Sequence, residues 1–279
     1  MSRFEIVVVA LVGLAWLPGL RVLAEAWGAN DFSTHGYLVP FVALWAATAH
    51  RDVLATLPAR PMPLARGLLG LCVLAYLAAL LLEQPTLLGI VFVATVVVLV
   101  LALRGPIWVS WLRFPLAYLA FMIPLPIAWV TPVIVSLQLW VSTLAVRLLQ
   151  AFGVAIHREG NVLMLPGDVS LFVAEACSGI TSLVTLIPIG VVIAYLTEAT
   201  WSRRSVLVAA VVPIALVGNL VRVIVTVLLA QRVDVEYATR GPLHEWAGVS
   251  TYVVGCLCLL GLGALMRRFG REPAAASPS

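Results

Sequence analysis

The sequence predicts an all-α membrane protein, a polytopic helical bundle of about eight transmembrane helices. The chain is 62% hydrophobic and only 11% charged, with a mean hydropathy of +1.08. A soluble domain has about 45–50% apolar and about 25% charged residues. Apolar runs recur along the chain, and arginines lie between them. We expect a single integral membrane domain over residues 1–271, followed by a disordered Pro/Ala/Ser tail at 272–279.

Nine apolar runs have roughly the length of ~20 residues that a transmembrane helix needs. The first run has no small-residue cleavage site after it, so we expect a retained span and not a cleaved signal peptide. The runs are 4–20, 37–50, 67–83, 87–103, 107–123, 127–153, 176–198, 205–228 and 246–266.

The arginines indicate which runs cross, because positive residues near span ends stay cytoplasmic. They follow the second, fourth, seventh and last runs: Arg51, Arg60, Arg66; Arg104; Arg203, Arg204; Arg267, Arg268, Arg271. All four groups are cytoplasmic only if one run does not cross. The run 127–153 carries the heaviest scatter of polar residues, so we interpret it as an amphipathic or re-entrant segment on the outer side. The alternative is nine crossings.

Most of the polar chemistry then lies in three outer segments. The first, between the first two spans, includes Asp31 and His35. The second covers 157–168, where alternating apolar residues around a Pro-Gly turn predict a small surface hairpin. The third runs from Asp234 to His244. The cytoplasmic loops contain little besides Arg, Pro and Ala, so the functional side is expected to face outward.

Cys177 is the first candidate for chemistry. It follows an acidic residue closely and precedes small residues at the start of an apolar run. A thiol at a helix N-terminus is favoured as thiolate by the helix dipole, which lowers its pKa. The alternative is a small packing residue, as we interpret the other three cysteines. Supporting candidates in the same stretch are Glu175, Ser178 and Gly179.

Arg222 and His244 are predicted at the same depth as Cys177. Arg222 lies 18 residues after Arg204, about 27 Å along a helix, and an arginine inside a span is a functional candidate because of its cost. Asn219 shares its helix face at i, i+3. His244 begins the last span. The alternatives are that Arg222 snorkels to headgroups, His244 caps the interface and His35 is a plain loop residue.

These residue types together suit acyl transfer. A cysteine nucleophile needs a base or cation, and histidine is the usual partner near neutral pH. An arginine can stabilise an oxyanion or hold a substrate carboxylate. No metal or cofactor is expected, since the four histidines are scattered and acids at ligand spacing are absent. The dispersed arginines, net charge +4, do not predict nucleic-acid binding.

The motifs resemble those of the exosortase/archaeosortase family of multi-pass membrane cysteine transpeptidases. The resemblance covers nearly all of residues 10–266 and rests on the segments 31–40, 175–180, 218–222 and 244–248. It implies that Cys177 is the nucleophile and that Arg222 and His244 are the other catalytic positions. The histidine is typical of the bacterial branch, and we expect a short form without an additional C-terminal domain.

The resemblance also implies the partners and the location. We expect exported proteins with a C-terminal sorting signal as substrates, a lipid or polysaccharide acceptor, and the cytoplasmic (inner) membrane of a bacterium. Two other classes stay open from the residues alone. One is a transporter or channel, against which stands the absence of an internal repeat. The other is a non-catalytic subunit of a polysaccharide export system.

Overall fold

The protein is a bundle of α-helices with one small β-sheet. A computed structural model describes residues 3–29, 32–160, 162–166, 169–173, 181–233 and 235–269. Among these residues, six helices are long and apolar enough to cross a membrane. The chain is therefore an all-α, multi-pass membrane protein, as predicted. Its contacts define two compact units, Met1–Ile127 and Ala128–Ser279. The single domain over 1–271 stays a prediction, and the tail 272–279 lies outside the described residues.

The described part of unit 1 consists of helices and the loops that join them. Its elements are α1 (Arg3–Gly28), a 3-10 helix (Thr34–Tyr37), α2 (Val39–Thr48), α3 (Arg51–Thr56), α4 (Pro63–Leu81), α5 (Pro85–Leu103), α6 (Pro106–Trp111), α7 (Arg113–Tyr118) and a second 3-10 helix (Leu119–Met122).

Unit 2 combines helices with the sheet. Its elements are α8 (which begins at the unit boundary, Ile127–Ala151), β1 (His157–Glu159), β2 (Val162–Leu165), β3 (Val169–Phe172), α9 (Thr181–Thr197), α10 (Trp201–Arg232), α11 (Val235–Arg240) and α12 (Pro242–Phe269).

Two of the eight predicted spans are not single long helices, and a third, 176–198, is described only from Thr181, where α9 has 17 residues, so the count of eight is not confirmed. The run 37–50 contains the ten-residue α2, and the run 107–123 is divided among α6, α7 and a 3-10 helix. Pro115 explains the second break, because a proline ring clashes with the carbonyl four residues earlier and cannot donate to it. That residue is Trp111, where α6 ends. Hydrophobicity alone does not reveal such breaks.

The broken segment 106–122 nevertheless connects opposite ends of unit 1. At its start, the Arg60 amide donates to the Arg104 carbonyl at 2.9 Å. The Arg104 guanidinium pairs with Glu5 at 2.7 Å, close to the start of α1. At its finish, the carbonyl of Met122 accepts a hydrogen bond from the Trp27 indole near the end of α1. Arg60 and Arg104 thus share one end of the unit, as the predicted grouping of arginines requires.

The segment 127–153 forms a helix that differs from our expectation. α8 is a continuous helix of 25 residues, and its length and hydropathy fit a membrane crossing. Its hydroxyls bond to carbonyls of the preceding turn, such as Ser136 to Pro132 and Thr143 to Leu139. The polar scatter that suggested an interfacial segment is therefore partly satisfied within the helix. The alternative of a crossing gains support, and the crossing itself stays a prediction.

The predicted surface hairpin is confirmed and carries one further strand. The three strands are antiparallel in the order β1-β2-β3, and Leu163 of β2 stands opposite Leu171 of β3. Both leucines are fully buried. They belong to a hydrophobic cluster with residues of α8 and with Val223 and Val227 of α10. One face of the sheet therefore packs against the membrane helices of unit 2.

Helices α9, α10 and α12 form the second core of unit 2. Leu186, Leu207, Val211 and Leu259 are buried between them. Close approach needs a residue without a side chain at Gly255, where a Cβ would lie 3.0 Å from Leu186 Cδ2. Small residues let helix backbones approach closely, which is the main source of helix association in lipid.

An ion pair closes one end of this three-helix core. Glu198, just after α9, is 2% exposed, and Arg267 of α12 donates to its Oε1 at 2.6 Å. Arg204 of α10 donates to the Glu198 carbonyl at 2.8 Å and stacks over the Tyr195 ring. The two arginines satisfy acceptors at the end of α9 that would otherwise be orphaned. The same contacts bring the predicted cytoplasmic arginines of α10 and α12 together.

Replacing Arg267 by leucine should destabilise the protein, because a buried carboxylate would lose its partner. Since Arg267 is 44% exposed and water can reach the site, we expect at most about 3 kcal/mol. A drop of several degrees in the melting temperature in detergent would register this loss. Arg268→Leu is the matched control, since the neighbouring Arg268 is exposed and the described residues give it no ion pair. If Arg267→Leu and Arg268→Leu lowered the melting temperature equally, the loss could not be attributed to the Arg267–Glu198 ion pair.

Candidate functional site

A buried polar face runs along the second half of α10. Asn219, Arg222 and Thr226 are 1%, 8% and 3% exposed, and they lie at i, i+3 and i+7 on one side of the helix. The sequence singled out Asn219 and Arg222, whereas Thr226 was missed. Its i+4 spacing from Arg222 was the available signal. A buried arginine within a membrane helix is costly and marks a functional site by default.

The Asn219 amide is buried in an unusual state. Among the described residues, neither its Oδ1 nor its Nδ2 has a hydrogen-bond partner. Buried polar side-chain atoms in folded proteins are nearly always bonded, and each exception calls for an explanation. One turn away, the guanidinium of Arg222 supplies positive charge on the same helix face. The arrangement can therefore offer both a neutral and a charged donor to a bound group.

The Arg222 guanidinium packs against the backbone of α12 near its start. A Cβ on Gly248 would lie 3.6 Å from Arg222 Nη2, which is ordinary contact distance. His244 lies four positions before Gly248, about 6 Å along the helix axis. Its backbone belongs to the first turn of α12, and its side chain lies outside the described structure. The Arg222 guanidinium thus lies beside the first turns of α12, and the common level of the Arg222 and His244 side chains stays a prediction.

Cys177, Glu175, Ser178 and Gly179 lie outside the described residues. The description stops at Val173 and resumes at Thr181, the first residue of α9. Val173 is 2% exposed and belongs to the buried cluster that includes Val223, the residue after Arg222. The chain therefore enters the Cys177 segment from a point packed beside the polar face of α10.

The two outer-loop candidates belong to unit 1. Asp31 lies outside the described residues. His35, in the first 3-10 helix, forms a hydrogen bond between its Nε2 and the Phe121 carbonyl at 3.0 Å. Next to it, Gly36 packs so closely on the Trp27 ring that a Cβ would meet the ring atoms. His35 thus fastens the loop to the second 3-10 helix, a structural role beside the supporting one we expected.

His35 should make the stability of unit 1 depend on pH. Burial lowers the pKa of its imidazole below 6.5, although the hydrogen bond with the Phe121 carbonyl opposes the shift. The folded state then favours the neutral ring, so its stabilising contribution is fully present above about pH 6.5 and is lost as the pH falls. We expect the melting temperature to decline from pH 7 to 5, and His35→Gln to flatten that decline.

The control for this measurement is His50→Gln, which changes a histidine of the same unit whose Nδ1 contacts the Ala46 carbonyl of the preceding helix α2. It should leave the slope close to that of the wild type. An unchanged slope in His35→Gln would contradict the role of His35.

A groove between α10 and α12 adjoins Arg222 and was missed by sequence reasoning. Its volume is about 520 Å³. Apolar and small side chains line most of it, and Arg222 lies at one end. The available signal was the helical spacing of small residues in α12, at Ala247, Thr251 and Gly255. The sequence predicts the run 246–266 only as a transmembrane span.

One known family of membrane proteins matches most of the chain. A family model described as transmembrane exosortase (Exosortase_EpsH) matches residues 27–261. No curated protein matches the chain. No solved structure matches it. The match covers well over half of the 279 residues and includes the positions of Cys177, Arg222 and His244. The resemblance predicted from the motifs is thus confirmed, and the chain belongs to the transmembrane exosortase family.

Proposed function

We propose that the protein is a membrane-embedded cysteine transpeptidase that cleaves a C-terminal sorting signal from exported proteins. Its reaction takes place on the extracytoplasmic side of the cytoplasmic membrane. The observation that carries the proposal is the buried Arg222, which packs against α12 one turn from His244. Family membership supports a membrane sorting role in general. The residue roles below extend that support to this chain.

The nucleophile in this proposal is the Cys177 thiolate. His244 takes the thiol proton, and the sulfur attacks the carbonyl carbon of the scissile peptide bond. The tetrahedral intermediate collapses when the C–N bond breaks, and protonated His244 returns the proton to the leaving amine. The C-terminal fragment is released, and the rest of the exported protein stays bound to Cys177 as a thioester. Water, or an amine of a lipid or polysaccharide precursor, then attacks the thioester and regenerates the thiol.

Arg222 and Asn219 act on the negative charge of this reaction. The guanidinium stabilises the oxyanion of the tetrahedral intermediate or orients an acidic residue of the sorting motif. The buried Asn219 amide is a second donor from the same helix face. An amide donor held in place before the reaction stabilises developing charge without reorganisation. Its lack of a partner among the described residues supports a role towards a bound substrate.

A site in the membrane suits a substrate that is itself membrane-bound. The sorting signal combines a short motif, a hydrophobic span and a basic tail, so the scissile bond is presented at the bilayer surface. Attack on that bond needs a nucleophile at the same depth, and a soluble enzyme does not readily bring one to the bilayer surface. The lipid bilayer is thus a working part of the site, and lateral helix contacts can hold the substrate.

The test is the intact mass of a reporter protein that carries a sorting-type tail. Co-expressed with the wild-type protein, the reporter should lose the mass of its C-terminal fragment. Addition of hydroxylamine should release a reporter hydroxamate, since a thioester intermediate reacts with strong nucleophiles. Full-length reporter throughout, across several tail motifs, would contradict the proposal and favour a role in transport or assembly.

A further inference from the structure

The groove between α10 and α12 has two walls of the same geometry. Apart from Pro213, the residues that line this groove repeat at i, i+3, i+4, i+7, i+8 and i+11 on each helix. On α10 they run from Ile214 to Val225, and on α12 from Ala247 to Cys258. Each wall is therefore one helix face of about three turns, some 16 Å long.

The walls of the groove are apolar and accessible. Val217, Val221 and Val254 are 60%, 55% and 55% exposed. The hydroxyls of Ser250 and Thr251 donate to the Ala247 carbonyl within α12, at 2.9 and 2.8 Å. Their polar atoms are thus satisfied inside the helix, and an occupant needs no hydrogen bonds to enter.

Arg222 gives the groove a charged end. It lines the groove beside Ala247, whereas Pro213 and Cys258 line the opposite, uncharged end. An occupant complementary to both features is an apolar helix that carries a carboxylate at one end. A carboxylate there would be attracted to the guanidinium, and such pairs form short, charge-assisted hydrogen bonds.

We propose that this groove receives the transmembrane segment of the exported substrate and positions the scissile bond at the Arg222 end. The inference rests on the proposed function and deepens it by naming the docking surface. The segment lies along α10 and α12, with its carboxylate-bearing end at Arg222. Its helix then delivers the preceding chain to the level of Arg222 and His244.

The shape of the walls favours a helix over a lipid chain. Two helix faces with matching repeats form a seam into which the side chains of a third helix can interdigitate. The small side chain of Ala247 leaves room for a close backbone approach at the Arg222 end, whereas Gly218 and Gly255 already contact Thr251 and Leu186 within unit 2. A single acyl chain needs neither the repeats nor the small residues.

A pair of tryptophan substitutions on adjacent residues tests the groove by activity. Val254→Trp would fill it, whereas Val253→Trp places the same bulk on a neighbouring position that does not line it. The two valines are 55% and 52% exposed, so both variants should insert and fold alike. We expect Val254→Trp to slow reporter cleavage at least about tenfold, through a raised KM, and Val253→Trp to stay within about twofold.

A cross-linking experiment tests the groove without catalysis. Cys258 is an exposed free thiol at the uncharged end of the groove. The protein would carry Cys177→Ser, Cys72→Ala and Cys256→Ala, so that Cys258 is the single thiol. Reporters would carry one cysteine about eleven residues into the transmembrane segment, about 16 Å beyond the acidic end. We expect a disulfide to form with that reporter on mild oxidation.

Matched positions make the cross-link specific. A reporter cysteine two residues away faces the opposite side of its helix and should cross-link poorly. Moving the thiol on the protein by Cys258→Ala with Leu257→Cys transfers it to an exposed position outside the groove and should abolish the product.

The outcomes separate the inference from the proposed function. If the wild type cleaves the reporter but Val254→Trp equals Val253→Trp and no specific disulfide forms, the groove is not the docking site and the function stands. Disulfides that form equally from Leu257→Cys would likewise overturn the inference. If no reporter is cleaved, the proposed function fails, and a specific disulfide would still support substrate docking.

Discussion

Replacing Cys177 by alanine should abolish cleavage of the reporter, by at least about 10³-fold, because no other group can form the acyl-enzyme. Cys177→Ser should be similarly inactive, since a serine hydroxyl has a much higher pKa than a thiol and is far less readily deprotonated by an imidazole. The measurement is the fraction of reporter mass lost over time in membranes that contain equal amounts of each variant.

Cys72→Ala is the matched control for the nucleophile. Cys72 is a free thiol of α4 that does not line the groove, and its loss should leave cleavage of the reporter nearly unchanged. Both variants should insert to the level of the wild type, because Cys177 has no expected structural role. Cleavage at the wild-type rate by Cys177→Ala would show that the thiol is not the nucleophile and would contradict the proposed mechanism.

The sequence predicts the helical membrane class and the surface hairpin because both depend on local patterns. Long apolar runs require helices in lipid, and the alternation that includes Met164 and Leu171 indicates strands, although in β2 it is Leu163 that is buried. The sequence also indicates that Arg222 is buried, because a charged side chain within a transmembrane helix rarely faces lipid. These features need no knowledge of which helices are neighbours.

The features that sequence reasoning missed depend on contacts between distant residues. The break after Trp111 comes from Pro115, but the hydrophobicity of 107–123 masks it in a search for spans. Glu198 is buried by Arg267, which lies 69 residues later. The groove lies between two helix faces with the same residue spacing. Each apolar run of the sequence contains only one of these faces, so neither run alone reveals the groove.

Arg222 should be the second most sensitive position of the site. Arg222→Met removes the charge and retains an unbranched apolar side chain, and we expect a loss of about 10²–10³ in kcat/KM. Arg222→Lys retains the charge but loses the planar pair of donors, so it should recover part of the activity and not all of it. The measurement is the rate of reporter cleavage at several reporter concentrations.

The division of that loss between kcat and KM identifies the role of the guanidinium. A contact made only to the oxyanion lowers kcat and leaves KM unchanged, whereas a contact to an acidic residue of the bound motif raises KM. In the second case, a reporter whose acidic residue is replaced by the corresponding amide should have the same KM with the wild type and with Arg222→Met. The matched control is Thr226→Val, a buried polar change one turn along the same face. If Thr226→Val reduced cleavage as much as Arg222→Met, the effect would reflect packing of α10, and the guanidinium would have no direct part in the reaction.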